Sequence, residues 1–305
     1  MTGIAPVSYK LFDRDFDAFA RQLGASFERY GFAVVADHDL DQARIDAAIS
    51  DAKALFALPT EVKKKYVSGK GGQRGYVPFG LETAKGHTLH DLKEFWHVGR
   101  ELAPGHRFGA NMPPNVWPGE VASFRDNELW LFNALDALGV QLLEAIAHYL
   151  GLPRQQFTAG VKEGNSILRL LHYPPLSADS PHVRAGAHED INTITLLLGA
   201  EEAGLEVLDR DGSWLPINAP PGAVVCNIGD MLSRNVCGRL PSTTHRVVNP
   251  APERRHVARY STPFFLHFAP DYLIEPLDVG GPDAPEPPIT SDDYLKQRLR
   301  EIGLL

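Results

Sequence analysis

The segment His188-Glu189-Asp190 is the part of the chain whose residue types and spacing best suit metal chemistry. In an extended backbone side chains alternate between faces, so His188 and Asp190 would point one way and Glu189 the other. A second histidine would complete two nitrogens and one carboxylate oxygen on one side of an ion, which leaves adjacent positions open, as in oxygen-activating iron(II) sites. Zinc enzymes also use such ligands, so the ligand types alone do not fix the metal.

A second histidine and a possible anion site follow further along the chain. His-x-Asp arises about once by chance in a chain of this length, so its context decides. His245 lies 57 residues after His188, and Arg259 and Ser261 begin another apolar run shortly afterwards. Alternation places Arg259 and Ser261 on one face. A guanidinium and a hydroxyl suit a buried carboxylate, because arginine binds it through two parallel hydrogen bonds and stays charged.

Short apolar runs, punctuated by glycine, proline and aspartate, dominate the second half of the chain. Residues 209–212 (Asp-Arg-Asp-Gly) join two of these runs as a hairpin turn. Many short strands at close spacing favour a sandwich or jelly roll over a β-α-β sheet. We therefore expect strands at residues 167–173, 193–198, 205–208, 214–217, 223–228 and 260–268.

The first half has helical periodicity instead. Large apolar residues recur at intervals of three and four from Phe16 to Tyr30, which predicts an amphipathic helix that ends at Gly31. The other predicted elements are a strand at 32–35, a helix that ends before Pro59, a long helix at about 123–150, and a C-terminal helix capped by Ser291.

The composition is that of an ordinary globular enzyme: 305 residues, of which 44% are hydrophobic and 22% charged. The net charge of −8 argues against a nucleic-acid or anionic-membrane partner, since both favour clustered lysine and arginine. The basic run 63–65 is expected to be a solvated helix face. Two cysteines are too few for a disulfide framework, and no signal-peptide or membrane-spanning pattern is evident. We therefore expect a cytoplasmic protein that binds neither nucleic acid nor a membrane.

Several segments, in order, resemble the isopenicillin N synthase-like branch of the iron(II)/2-oxoglutarate-dependent dioxygenases, over nearly the whole chain. Residues 188–197 are similar to that family's first metal segment, and residues 227–230 and 242–247 to the segment that carries its distal histidine. Arg259-Tyr260-Ser261 matches the co-substrate motif. The N-terminal resemblance rests on residues 30–32, residues 56–64, Gly75-Tyr76, Lys93-Glu94 and residues 115–118.

The resemblance implies a mixed α and β fold with a mainly β core: a double-stranded β-helix, or jelly roll, flanked by helices. It implies that His188, Asp190 and His245 hold Fe(II), and that Arg259, Ser261 and Tyr173 bind 2-oxoglutarate as co-substrate. Leu171 stands where many plant members carry asparagine. The implied organisation is an N-terminal helical and strand region (1–120), a long supporting helix (121–162), the catalytic jelly roll (163–275) and a C-terminal loop and helix (276–305), together one structural unit.

The implied reaction is oxidation of a small molecule by Fe(II), 2-oxoglutarate and molecular oxygen, with release of succinate and CO2. Hydroxylation, desaturation and ring closure all fit, and no catalytic side chain is implied beyond the metal ligands. The cationic side chains near the expected pocket would suit an anionic substrate such as an amino acid or a peptide. By analogy that pocket would be lined by Arg74, Tyr76, Phe79, Arg169, His182 and Arg184.

Two other interpretations remain open from the sequence. An iron oxidase of the same fold would not use 2-oxoglutarate, and Arg259 with Ser261 would then hold a substrate carboxylate. A non-catalytic metal-binding protein or a zinc hydrolase would bind zinc tightly and consume no oxygen. Arg254 and Arg255 also compete with Arg259 for the anion, although neither stands in an Arg-x-Ser pattern at the start of a strand.

Overall fold

A computed structural model describes residues 3–68, 73–80, 92–176, 184–198 and 204–303. The strands are β1 (Pro6–Ser8), β2 (Phe32–Ala36), β3 (Val67–Ser68), β4 (Arg74–Val77), β5 (Glu94–Gly99), β6 (Ile167–Tyr173), β7 (Ala185–His188), β8 (Ile194–Leu198), β9 (Leu205–Leu208), β10 (Trp214–Pro216), β11 (Val224–Ile228), β12 (His245–Val247), β13 (Arg259–Ser261), β14 (Pro263–Leu266), β15 (Leu273–Ile274) and β16 (Ile289–Thr290).

These strands form two facing sheets and a ribbon of β15 and β16. The large sheet has 10 strands in the order β1-β2-β11-β8-β14-β6-β5-β4-β3, with β13 paired to β6. The small sheet has the order β10-β9-β12-β7. This architecture is the expected double-stranded β-helix, and the predicted hairpin at residues 209–212 joins the antiparallel β9 and β10.

An apolar cluster fills the space between the two sheets. It includes Val34 and Val225 of the large sheet, and Val207 and Ile217 from the side of the small sheet. We call the face of the large sheet that looks toward the small sheet the inner face, and the opposite face the helix face. Each strand alternates between them, so cross-strand neighbours share a face.

The helices are α1 (Leu11–Arg14), α2 (Phe16–Tyr30), α3 (Gln42–Phe56), α4 (Thr60–Lys63), α5 (Phe124–Tyr149), α6 (Thr158–Val161), α7 (Asp230–Asn235) and α8 (Ser291–Glu301). Gly31 ends α2 as predicted, with φ of 69°, and its N–H donates to the Phe27 carbonyl at 2.7 Å. The left-handed conformation favours glycine there, because a side chain is rarely accommodated at positive φ. The predicted cap of α8 was wrong by one residue: Thr290, not Ser291, accepts the Asp293 N–H.

Helix α5 packs across the helix face of the large sheet. Its length and composition alone would allow it to cross a membrane, but half of its most apolar window is buried inside the protein. The Phe132 ring meets the Phe264 ring edge-on at 5.0 Å, and a Cβ at Gly139 would lie 2.9 Å from the Leu266 side chain. The helix is therefore a core element, held to the sheet by close packing.

The N-terminal half differs from its predicted helical character in one region. Residues 74–77 and 94–99 form β4 and β5, and β5 pairs along its whole length with β6 of the second half. The prediction that residues 63–65 are a solvated face was wrong for Lys63, which is 4% exposed. Its ammonium donates to the Glu94 carboxylate at 2.8 Å and to the Phe56 carbonyl at 2.9 Å. A tertiary partner 31 residues away cannot be inferred from a local run of charge.

Candidate functional site

His188 and His245 face each other across the small sheet. His188 is the last residue of β7, His245 is the first of β12, and the two are register partners in an antiparallel pair. Their ring centroids lie 4.4 Å apart. Phe32 of the large sheet packs edge-on against the His245 ring at 5.3 Å. Sheet register thus brings together two residues that are far apart in the sequence.

Both imidazoles are oriented by the same kind of hydrogen bond. The Nδ1 of His188 is 2.8 Å from the Gly186 carbonyl, and the Nδ1 of His245 is 3.1 Å from the Thr243 carbonyl. A carbonyl only accepts, so each Nδ1 carries the proton and donates. The lone pair of each ring then lies on Nε2, where it is available to a metal.

Asp190 supplies the third donor atom. Its Oδ2 accepts hydrogen bonds from the Thr195 hydroxyl at 2.5 Å and from the Asn227 amide at 2.8 Å. Its Oδ1 lies 3.9 Å from the Nε2 of both His188 and His245. Thr195 and Asn227 are register partners on the inner face, so β8 and β11 together orient this carboxylate.

The charges of the site favour the forms that bind a metal. Burial, followed by the neighbouring His245, lowers the pKa of His188 to about 4, although 44% of its side chain is exposed. Burial alone would raise the pKa of Asp190, but the two histidines and the hydrogen bonds from Asn227 and Thr195 lower it overall. A neutral imidazole beside an ionised carboxylate is therefore the expected state near neutral pH.

The donor set fits a divalent transition metal. The donor atoms of His188, Asp190 and His245 lie within 4.8 Å of one another, and no other group of three such side chains occurs among the described residues. Two nitrogens and one oxygen from one side are the ligands expected for non-haem iron(II). Glu189 points away as predicted, and its carboxylate accepts from the Thr244 hydroxyl at 2.9 Å.

The predicted anion-binding residues lie on the inner face, on and beside β13. Arg259 is register partner to Tyr173, and Ser261 to Leu171. Arg259 is 2% exposed and Ser261 is 5% exposed, and the Arg259 guanidinium lies 5.2 Å from the Tyr173 ring centroid. A buried guanidinium beside a buried hydroxyl is suited to a carboxylate ligand.

The structure places the six predicted substrate residues in different environments. Arg169 lies on the inner face, where its Nε donates to the His97 Nε2 at 2.6 Å. Arg184 is buried and donates to the Val257 carbonyl at 3.0 Å, and Phe79 is 41% exposed in the turn after β4. His182 lies outside the described residues. Arg74 is buried over β5, as described below.

Tyr76 requires a correction, because it lies on the helix face. It is the register partner of Trp96 and is 1% exposed, and its hydroxyl donates to the Glu94 carboxylate behind the sheet. Tyr76 therefore stabilises a buried charge cluster and does not line the pocket. The sequence reasoning also missed Thr195 and Asn227, the two residues that orient Asp190. Polar residues inside otherwise apolar strands were the available signal.

Comparisons with known proteins agree with this geometry. Residues 6–120 match the family model described as non-haem dioxygenase in morphine synthesis N-terminal, and residues 164–268 match that of the 2OG-Fe(II) oxygenase superfamily. A 2-oxoglutarate-Fe(II) type oxidoreductase, hxnY of Emericella nidulans, is 32% identical, over 92% of this chain and 84% of the relative. A proline hydroxylase, buaE of Petromyces alliaceus, is 33% identical over 86% and 85%.

Solved structures are similar over nearly the whole chain. A 2OG-Fe(II) oxygenase family protein from Caulobacter crescentus is 63% identical, with a TM-score of 0.93 and coverage of 99% of this chain and 100% of that one. A full-length Neurospora crassa protein in complex with α-KG and thymine is 28% identical, with a TM-score of 0.87 and coverage of 98% and 96%. Sequence relatives and solved structures thus lead to one conclusion: the chain belongs to the iron(II)- and 2-oxoglutarate-dependent oxygenases.

Proposed function

We propose that His188, Asp190 and His245 hold the iron of this oxygenase, and that Arg259, Ser261 and Tyr173 hold its 2-oxoglutarate. The observation that carries the proposal is the set of three donor atoms. Each ligand side chain has its second polar atom engaged by a neighbour, so that one atom of each remains for the metal. Such pre-orientation is what surrounding hydrogen bonds provide in metal sites.

The family uses iron(II) and 2-oxoglutarate, and the bound metal supplies oxidising power that protein side chains lack. The chain's own residues bind and orient. Arg259 and Ser261 would fix one carboxylate of 2-oxoglutarate through charge-assisted hydrogen bonds, and the Tyr173 ring would pack beside that carboxylate. The buried inner face excludes water around the co-substrate. Arg259 is preferred over Arg254 and Arg255, because it is buried on a strand beside Ser261, whereas those two lie at the end of a short 3-10 helix before the strand.

The primary substrate is a small molecule oxidised at the expense of 2-oxoglutarate, with release of succinate and CO2. The relatives named for proline hydroxylation and for a thymine complex are about one-third identical or less, so their ligands are not transferred to this chain.

We further propose that the enzyme is cytoplasmic and that its N-terminal region, long helix, jelly roll and C-terminal helix form one structural unit. Two observations support a single structural unit. Strands β1 to β5 lie in the large sheet together with strands of the jelly roll, and the Nε of Arg298 in α8 lies 3.2 Å from the Oδ2 of Asp230 in α7.

Anaerobic absorption spectroscopy tests the assignment. Iron(II) and then 2-oxoglutarate are added to metal-free protein, and a visible charge-transfer band is expected only after both additions. Asp190→Ala removes a ligand, so iron binding and the band are expected to be lost. Arg259→Ala is expected to retain iron and to require far more 2-oxoglutarate for the same band.

Each alternative outcome would favour a different interpretation of the site. Iron binding without a band would favour the oxidase interpretation, and Arg259 would then be assigned to a substrate carboxylate. Tight zinc binding without oxygen consumption would favour a zinc protein. Unchanged iron binding in Asp190→Ala would overturn the ligand assignment.

A further inference from the structure

Arg74 is a buried cation whose hydrogen-bonding capacity is only partly used. Its side chain is 1% exposed, and its Nη1 donates to the Gln73 carbonyl at 2.7 Å. The Nε and Nη2 atoms are buried and have no hydrogen-bond partner. These two N–H groups form one edge of the guanidinium, the edge that binds the two oxygens of a carboxylate in parallel. A buried cation without such a partner is costly, so the position calls for a ligand.

The Arg74 guanidinium lies directly against Gly99, where the absence of a side chain leaves room for it. A Cβ built on Gly99 would lie 2.0 Å from the Arg74 Cζ and about as close to Nη2 and Nε, so any side chain at position 99 would displace it. The Asn115 side chain holds Gly99 in place by accepting from its N–H at 2.7 Å and donating to its carbonyl at 2.8 Å. Gly99 and Asn115 together therefore form the surface on which the guanidinium lies.

The backbone at Gly75 explains why Arg74 reaches the inner face. Gly75 has φ of 72°, and a Cβ there would collide with the Tyr66 carbonyl and with Val116. This left-handed residue interrupts the alternation of β4, so Tyr76 points to the helix face while Arg74 lies over Gly99 on the inner face. Gly99 shares that face with His97, two residues earlier on β5.

One cross-strand row connects Arg74 with the metal ligands. It begins at Thr195, whose hydroxyl donates to Asp190. Successive members face one another across strand pairs: Thr195 of β8, Phe265 of β14, Ile167 of β6 and Gly99 of β5. Three strand spacings of roughly 4.8 Å place Arg74 about 14 Å from Thr195 along the sheet. Arg74 and the proposed iron site thus lie at opposite ends of this one cross-strand row.

The wall between these ends consists of aromatic and aliphatic side chains with Arg169 among them, and it carries no described negative charge. Phe265 and Ile167 lie within the row, and Arg169 lies in the next row with its guanidinium 4.3 Å from the Phe95 ring centroid. None of the described inner-face positions of β4, β5, β6, β8, β11, β13 and β14 is an aspartate or glutamate. A ligand that fits this wall has an apolar body and brings its own anion.

We infer that the primary substrate is a carboxylic acid with an apolar body, whose carboxylate binds the Nε and Nη2 edge of Arg74 while a carbon remote from it faces the metal. This inference rests on the proposed function of the metal site. Arg74 is then a residue that determines substrate specificity, distinct from Arg259, which binds the co-substrate.

The test uses the enzyme loaded anaerobically with iron(II) and 2-oxoglutarate, with the visible band as proof of loading. The probes are ω-phenylalkanoic acids of increasing chain length, each compared with its primary amide by equilibrium dialysis. Charge-assisted hydrogen bonds predict that at least one acid binds about 10- to 100-fold more tightly than its amide. In Arg74→Gln the preference is expected to fall to about one, with the band retained.

Two further variants keep the result interpretable. Gly99→Ala retains the arginine, but the added methyl group occupies the space of its guanidinium. This variant is therefore also expected to lose the preference for the acid. Arg125→Gln removes an exposed arginine that pairs with Glu101 at 3.4 Å, and it is expected to change nothing. The inference is overturned if no acid binds better than its amide in loaded wild-type enzyme, or if Arg74→Gln retains the preference. Absence of the band in wild-type protein would instead refute the function proposed for the site.

Discussion

The two faces of the large sheet both bury charge, but only one of them balances it internally. On the helix face the Glu94 carboxylate accepts from Lys63, Tyr76 and His172, so the charges of this cluster are paired within the protein. On the inner face Arg74 leaves one edge without a hydrogen bond, and Asp190 keeps one oxygen toward the two histidines. We interpret the paired Glu94 cluster as stabilising the fold, and the unpaired edge of Arg74 as the proposed place for a ligand.

The largest effect is expected on the helix face, from Lys63→Met. Removal of the ammonium leaves the Glu94 carboxylate buried with fewer donors, and breaking a buried pair costs about 3–5 kcal/mol. The free energy of unfolding from urea titration is expected to fall by that amount. Lys64→Met is the matched control, because Lys64 is 52% exposed and pairs with an exposed Glu61. A loss below about 1 kcal/mol in Lys63→Met would contradict a structural role for the cluster.

The second prediction concerns the inner face, where Arg259→Met is expected to weaken 2-oxoglutarate binding. Loss of a charge-assisted pair predicts a 10- to 100-fold increase in the Kd, or about 1.4–2.7 kcal/mol. Titration of the visible band measures it. Arg255→Met is the control, since Arg255 competes for the role in the sequence, and a change of less than threefold is expected. A larger loss in Arg255→Met than in Arg259→Met would reverse the assignment.

The smallest effect is expected at Glu128 of α5, a buried acid whose two carboxylate oxygens have no hydrogen-bond partner. Burial, with Asp51 nearby, raises its pKa well above the usual range. The folded state thus holds a proton that the unfolded state releases above about pH 4.5. Stability is therefore lost as the pH rises from there toward the folded pKa, by up to about 1.4 kcal/mol per pH unit.

Glu128→Gln removes this titration. Its advantage over wild type in the free energy of unfolding is expected to grow between pH 5 and pH 6.5. Glu61→Gln, at an exposed acid, is expected to show no such trend. A constant difference across this range would mean that Glu128 is ionised in the folded protein, and that the helix face also contains an unbalanced charge.

The difference between local patterns and long-range contacts explains which features could be predicted from the sequence. Local patterns identified α2 with its end at Gly31, the jelly-roll strands other than β7 and β12, and the pair His188 and Asp190, because periodicity and His-x-Asp alternation are local properties. His245 was assigned from its place in the chain and from the family resemblance. The local charge pattern failed for Lys63 and the family analogy failed for Tyr76, because both side chains contact Glu94 in a strand that was not predicted. Thr195 and Asn227 were missed because register between β8 and β11 makes them neighbours. Arg74 was predicted by analogy, but its place on the inner face depends on the backbone turn at Gly75.

The interleaving of early and late strands in the large sheet has a consequence for biosynthesis. β2 lies between β1 and β11, and Phe32 faces Asn227, which is made almost 200 residues later. Pairing between such distant segments slows folding. In a chain that leaves the ribosome, β2 therefore has only β1 as a sheet neighbour until β11 has emerged, and the proposed metal site is incomplete until His245 follows. Binding of iron by all three proposed ligands therefore requires that the chain has been made at least as far as His245.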